Sequence, residues 1–285
     1  MGSDYICSSF DCDSNNFLKP ILHTTHKNAD PDSFAGVLWG VDIFGGCSLV
    51  HNPSRIVRNL MEYMNFRENT CWNFKRVFAY DVSSPEKLPI TQAEKLVVVD
   101  HHSRNSFRNA KLIWRPRASL SMNLYDISEG LNLSEKVLFT FAVALVTDTA
   151  ILRTASSEEL IYLSKFLKSR KLEDVFKVIF EGSVKMEDFL RDLSGIKMEK
   201  SICFGRFSNE DHFLFFCDTF MYALRCNIVA GEFDWGVWIY AEKKMIQPLF
   251  RVLKILEKDF KRSGGRLIGA NLRTVVGRLT DLLQL

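Results

Sequence analysis

No stretch of the chain approaches the roughly 18 consecutive apolar residues that a membrane span requires. Residues 1–10 also lack the basic start and apolar core of an export signal. Both absences point to an intracellular, cytoplasmic protein with no membrane partner. There is no Cys-x-x-Cys pair. The seven cysteines, of which Cys7 and Cys12 lie nearest each other, form neither a zinc ribbon nor a disulfide framework, so reduced thiols are expected. Internal repeats and low-complexity tracts are missing too. A net charge of +3 is too small to imply nucleic-acid binding by itself. What the chain does have is apolar mass: 47% of 285 residues, with 23 phenylalanines, is enough for one large core or two modest ones.

Chemistry gathers where apolar runs end. The stretch Val97-Val98-Val99-Asp100-His101-His102 reads as a buried parallel strand delivering an acid and two imidazoles at its C-terminal end. A strand over 21–25 runs into His26-Lys27-Asn28-Ala29-Asp30-Pro31-Asp32-Ser33. A helix follows, with Asp32 or Ser33 as N-cap and Phe34, Val37, Leu38 and Val41 on one face. Further strands are predicted over 47–51, 74–80 (closing on Asp81), 96–99 and 112–114, and a helix over 53–64 with Pro53 at its first position. Helices are expected over 119–129 and 134–146. The second is apolar nearly all round, hence buried, and ends in Thr147-Asp148-Thr149.

Amphipathic helices follow over 157–169, 171–180 and 185–197, the last as a connector. From residue 202 the pattern changes to short β-like runs over 202–207, 213–217, 221–228 and 235–240. A helix over 248–261, a Ser263-Gly264-Gly265 turn and a helix over 272–283 complete the chain. The expected architecture is α/β: a largely parallel sheet with helices on both faces, plus a smaller α+β C-terminal domain. Residues 1–19 would be an arm, 20–190 the catalytic domain and 200–285 the second domain.

If the strands are parallel, His26, Asp30, Asp32, Asp81, Asp100, His101, His102 and Asp148 meet along one sheet edge. Taken singly, each motif is as well explained by a turn or a helix cap; four such clusters, each after an apolar run, are not. Carboxylates and imidazoles without thiolates suit Mn²⁺ or Mg²⁺ better than structural zinc. So many acids would repel one another unless cations sat between them. Two metals roughly 3.5–4 Å apart suit phosphate ester hydrolysis. His23, inside the first strand with no acid adjacent, reads as a core residue.

These residues resemble the DHH phosphoesterase family, whose name-giving motif stands here as Asp100-His101-His102. Its first motif, H-x-N-x-D-x-D, appears as His26 to Asp32, its second as Asp81 and its fourth as Thr147-Asp148-Thr149 with Ile151-Leu152-Arg153 following, all in family order over roughly residues 20–165. The resemblance implies that His26, Asp30 and Asp148 hold one metal and Asp32 and His101 the second, with Asp81 bridging. It further implies that Asp100 orients His101 and that His102 faces the scissile phosphate or its leaving oxygen. Ala35 stands where many members have Gly, and Gly36 where Ser is usual.

The second domain resembles, less closely, the DHH-associated C-terminal domain of RecJ and the nanoRNases. Tyr222-Ala223-Leu224-Arg225-Cys226 is similar to that domain's strand with a substrate-gripping Arg, and residues 263–271 to its glycine-rich phosphate loop, built on Gly264 and Gly265. Arg266 replaces the family's usual His: it can hold a phosphate bidentately but offers no neutral imidazole. Lys254, Lys258, Lys261, Arg262, Arg273 and Arg278 make this end locally basic, mostly as a solvated helix face; Trp235 and Trp238 read as core.

The expected activity is a two-metal phosphodiesterase using two Mn²⁺, with Mg²⁺ as a substitute. Its partner would be a short single-stranded nucleic acid or dinucleotide, released as nucleoside monophosphates. A homodimer is compatible with this reading. The alternatives are a RecJ-like exonuclease on longer DNA or RNA, a small-phosphate enzyme, or a non-catalytic replication scaffold. The complete set Asp30, Asp32, Asp81, His101 and Asp148 speaks against the scaffold.

Overall fold

The computed structural model describes residues 20–71, 73–90, 93–182, 185–241, 245, 249 and 264–282. The N-terminal arm, most of the helix expected over 248–261, and Lys254, Lys258, Lys261 and Arg262 lie outside them. The chain divides into two compact units, residues 1–181 and 182–285. Among the described residues no helix is long and apolar enough to cross a membrane.

In the first unit β1 (Ile21–Thr25), β2 (Cys47–Leu49), β3 (Arg76–Tyr80), β4 (Lys95–Asp100) and β5 (Lys111–Trp114) form a sheet in the order β2-β1-β3-β4-β5. Every pairing is parallel. The strand order reverses between β1 and β3, and in an open parallel sheet that reversal leaves a crevice beyond the strand C-termini. The helices are α1 (Pro31–Phe44), α2 (Arg55–Tyr63), α3 (Leu120–Ile127), α4 (Glu135–Asp148), α5 (Ser157–Leu167) and α6 (Leu172–Phe180).

Phe78, Tyr80 and Val99 point to the helices, joining Phe34, Trp39, Phe139 and Phe141 in the main core. Every residue of α4 from Val137 to Val146 is buried, as its all-round apolarity requires. On the other face the loop after β3, with its 3-10 turn Pro85–Lys87, lays Val82 and Leu88 over Ala79 and Val98. Helix α1 begins earlier than Asp32: Asp30 is the N-cap, accepting from Ser33 N–H, and Pro31 takes the first turn, where its missing N–H costs nothing. Likewise α2 is capped by Ser54, which leaves Pro53 outside the helix.

The second unit carries α7 (Met186–Ser194), β6 (Lys197–Glu199), β7 (Ile202–Arg206), α8 (Glu210–Tyr222), β8 (Ile228–Phe233), β9 (Gly236–Ala241), β10 (Gly264–Ile268) and α9 (Leu272–Leu282). Its mixed sheet runs β10-β9-β8-β7-β6, with only β7 and β8 parallel. The segment read as a connector belongs here because Phe189 of α7 stacks on Phe216 and meets Phe215 edge-on.

Three expectations for this unit are corrected. Residues 213–217 are helical, inside α8. Arg225 lies in the loop between α8 and β8 with a left-handed backbone (φ 56°), not on a strand. Gly264, Gly265 and Arg266 form no turn: they pair in register with Tyr240, Ile239 and Trp238 as strand β10. The thiol expectation changes as well. Cys47 and Cys71, and Cys203 and Cys226, are disulfide-bonded across 24 and 23 residues of sequence, a proximity created by the fold and invisible in local spacing.

Candidate metal centre

Four segments deliver ligand-type side chains to the crevice at the strand reversal. His26 and Asp30 follow β1, Asp81 follows β3, His101 and His102 follow β4, and Asp148 closes α4. Asp32 reaches in from the first turn of α1. These seven make three groups able to hold an ion: His26, Asp30 and Asp81; Asp32, His101 and Asp148; and Asp81, His101 and His102. Asp148 therefore stands with Asp32 and His101, rather than with His26 and Asp30 as the family resemblance implies. Asp81 keeps its shared position.

Local structure fixes each group. One oxygen of Asp30 caps α1 while the other lies 3.4 Å from His26 Nε2. Asp32 is 1% exposed. It accepts from the Ser119 hydroxyl at 2.7 Å, from Ser121 N–H at 3.0 Å and from Leu120 N–H, at the positive end of α3. Asp81 sits at φ 57°, a left-handed conformation that Asp tolerates better than most residues. Beyond Asp148 the backbone turns through three more left-handed residues, Ala150, Ile151 and Leu152. A β-branched residue there is strained, and such strain persists only where the surroundings impose it.

The two imidazoles are oriented differently from expectation. His101 Nδ1 is 2.9 Å from the carbonyl of Arg117. A carbonyl only accepts, so Nδ1 carries the proton and Nε2 faces the acids, 3.2 Å from Asp81 and 3.3 Å from Asp32. Asp100 does not orient His101. Fully buried, it holds Nδ1 of His102 at 2.8 Å, and Asn105 donates to its other oxygen at 2.7 Å. His23 is the core residue expected. Its Nε2 donates to Gly45 O and its Nδ1 accepts from Tyr80 OH, both at 2.9 Å, and burial lowers its pKa to about 4.

The electrostatics ask for a cation. Burial disfavours charge on His26, yet Asp30 and Asp81 outweigh it and raise its pKa to about 9. Burial is likewise overcome at His101, which Asp81 and Asp32 lift to about 10. Asp81 stays far below the usual carboxylate range despite its burial, held by His101 and His26. Asp148 goes the other way, pushed well up by burial and by the negative charge of Asp32. Asp148 Oδ2 is buried without a hydrogen-bond partner, and Asp81 Oδ1 is buried with the ring nitrogens of His101 and His102 at 3.2 and 3.3 Å. A buried oxygen without a partner is costly, and here it lies among hard oxygen and nitrogen donors, so a divalent ion fits.

No known family profile matches the chain. Over 117 residues it is 25% identical to an uncharacterized protein of Methanocaldococcus jannaschii, a match covering 37% of this chain and 24% of that relative. The solved structure of an exopolyphosphatase-related protein from Bacteroides fragilis superposes with a TM-score of 0.71 at 14% identity, over 99% of this chain and 95% of that one. The chain shares the fold of that protein. A putative family II inorganic pyrophosphatase of Methanococcus jannaschii also resembles it, with a TM-score of 0.51 at 13% identity over 93% of this chain and 99% of that one. The strand-end residues singled out in the sequence are the ones converging in the crevice. Of those the sequence reading missed, Ser119, Ser121 and the Arg117 carbonyl hold Asp32 and His101 without being ligands, and Asn105 holds Asp100 behind His102; only Asn105, close behind the His pair, left a local trace.

Proposed function

We propose that the first unit hydrolyses phosphate esters with two divalent ions, Mn²⁺ with Mg²⁺ as a substitute. We further propose short oligonucleotides or dinucleotides as substrates, released as nucleoside monophosphates. One observation carries the reading: seven hard-donor side chains converge where the strand order reverses, among them the buried Asp148 Oδ2, which has no hydrogen-bond partner. Ions bound there would supply Lewis-acid activation of a phosphoryl group and of a water. His26 and Asp30 would serve one position, Asp32, His101 and Asp148 the other, and Asp81 both. With Nδ1 committed to Asp100, His102 presents Nε2 to the substrate, where it would give a proton to the leaving oxygen.

The oligonucleotide reading draws on the resemblance of the second domain to the DHH-associated domain of RecJ and the nanoRNases. A second reading, hydrolysis of small phosphoanhydrides, gains weight because Arg225 and Gly264-Gly265-Arg266 do not adopt the expected gripping strand and loop. A time course with Mn²⁺ on RNA and DNA of two to about twenty nucleotides, beside pyrophosphate and polyphosphate, decides between them. Rapid loss of the shortest oligomers supports the first reading. Turnover confined to phosphoanhydrides supports the second. Processive, strongly salt-dependent shortening of long strands marks RecJ-like work.

A further inference from the structure

His101 and Asp32 come from different parts of the chain, yet one stretch without a metal ligand anchors both. Arg117 O accepts from His101, while the Ser119 hydroxyl and the N–H groups of Leu120 and Ser121 bind Asp32. This stretch joins the edge strand β5 to α3, a place where a carbonyl is not fixed by a sheet ladder on both sides. What fixes it is the Arg117 side chain, only 10% exposed. Its guanidinium reaches Asp126 Oδ2 on α3 at 2.8 Å and Tyr162 OH on α5 at 2.9 Å, with its carbon 5.2 Å from the Tyr162 ring centre. Tyr162 OH donates in turn to Asp126 Oδ1 at 2.5 Å, which closes a three-membered brace. A guanidinium so enclosed is tolerated only when paired: Nη1 alone meets both Asp126 and Tyr162, Nη2 lies 3.6 Å from Glu158 Oε1, and the group sits over the Tyr162 ring.

We propose that Arg117 is a positioning residue for the metal centre: braced by Asp126 and Tyr162, it sets the carbonyl that aims His101 Nε2 at Asp32, Asp81 and Asp148. The inference rests on the two-metal reading. It places the brace behind one ion, the one served by His101 and Asp32, and leaves the His26–Asp30 side, which is anchored by the cap of α1 instead, largely unaffected. Removing the partner behind a ligating histidine typically costs about 10–100-fold in metal affinity.

Metal-free wild type, Arg117→Gln, Arg117→Lys and Tyr162→Phe are titrated with Mn²⁺ by calorimetry, and the melting of each metal-free protein is recorded. The wild type should bind two ions. Arg117→Gln should weaken one ion about 10–100-fold and the other less than about threefold. Arg117→Lys should recover only part of the loss. If Arg117→Gln does not fold, Tyr162→Phe carries the test: it keeps the ring and should weaken the same ion in the same direction. Equal weakening of both ions, or lower melting temperatures with both affinities unchanged, would mean a merely structural role and overturn the inference. A wild type that binds no divalent ion removes the two-metal reading and the inference with it, a result distinguishable from the others.

Discussion

Asp81 and His101 each belong to two of the three ligand groups, and of the two Asp81 brings the negative charge. Asn keeps its tolerance of the left-handed backbone and removes only the charge, so Asp81→Asn is the cleaner test than Asp81→Ala. Its expected loss in kcat/KM is about 10³-fold or more, roughly 4 kcal/mol of transition-state stabilisation, with an unchanged circular dichroism spectrum. His23 belongs to stability. Its folded pKa of about 4 lies below the unfolded value of 6.5, so its contribution is complete above pH 6.5 and is lost as pH falls toward 4. Across that window wild type should lose about 3 kcal/mol more unfolding free energy than His23→Phe, measured by urea denaturation at each pH. Comparing the two proteins cancels the other titrating groups.

Among the elements, α1 shows how closely the site depends on packing. A Cβ on Gly36 would lie 2.4 Å from Tyr80 Cβ, and one on Gly40 would lie 2.2 Å from Tyr80 OH and 2.3 Å from His23 Nδ1. Gly36 therefore lets the helix that carries Asp32 lie flat on β3, which carries Asp81. Gly36→Ser should destabilise the protein by about 1–3 kcal/mol, read as a lower denaturation midpoint at unchanged slope. The strands ending in Asp81 and Asp100 were legible because a short β-branched or aromatic run closing on polar groups fits a buried strand and little else. Helix α8 was not. Its buried Phe213, Phe216, Cys217 and Phe220 do recur at helical spacing, but Leu214 and Phe215, both exposed, fill the gaps and make the run look like a strand. Strand β10 was missed for a different reason: two adjacent glycines signal a turn locally, whereas pairing with β9 overrides that preference.

For the whole molecule, metal, proton and stability are linked. Without metal, His26 and His101 are imidazolium at pH 7, with pKa values of about 9 and 10. Both lie above the unfolded value of 6.5, so these ion pairs stabilise the metal-free protein fully below pH 6.5 and cease to do so as pH rises through 9 to 10. Ion binding needs neutral imidazoles and must expel those protons. Mn²⁺ affinity should therefore rise from pH 7 to 9, with protons released on binding, as calorimetry in buffers of differing ionisation enthalpy would register. The break between the two units falls after Glu181, ahead of the change of pattern near residue 200, because α7 packs Phe189 on Phe216 of the second unit. The carbonyl and hydroxyl groups behind the ligands were not legible, because a backbone oxygen leaves no mark in a sequence and Ser119 lies 87 positions from the Asp32 it holds.

The most direct test of the two-metal account is the stoichiometry of Mn²⁺ bound to the metal-stripped protein, followed in the same samples by hydrolysis of a short RNA oligomer. Two ions per chain in wild type, with turnover appearing as the second binds and both lost in Asp81→Asn, is the expected result. Turnover by the stripped wild type in excess chelator, or undiminished turnover by Asp81→Asn, would contradict it.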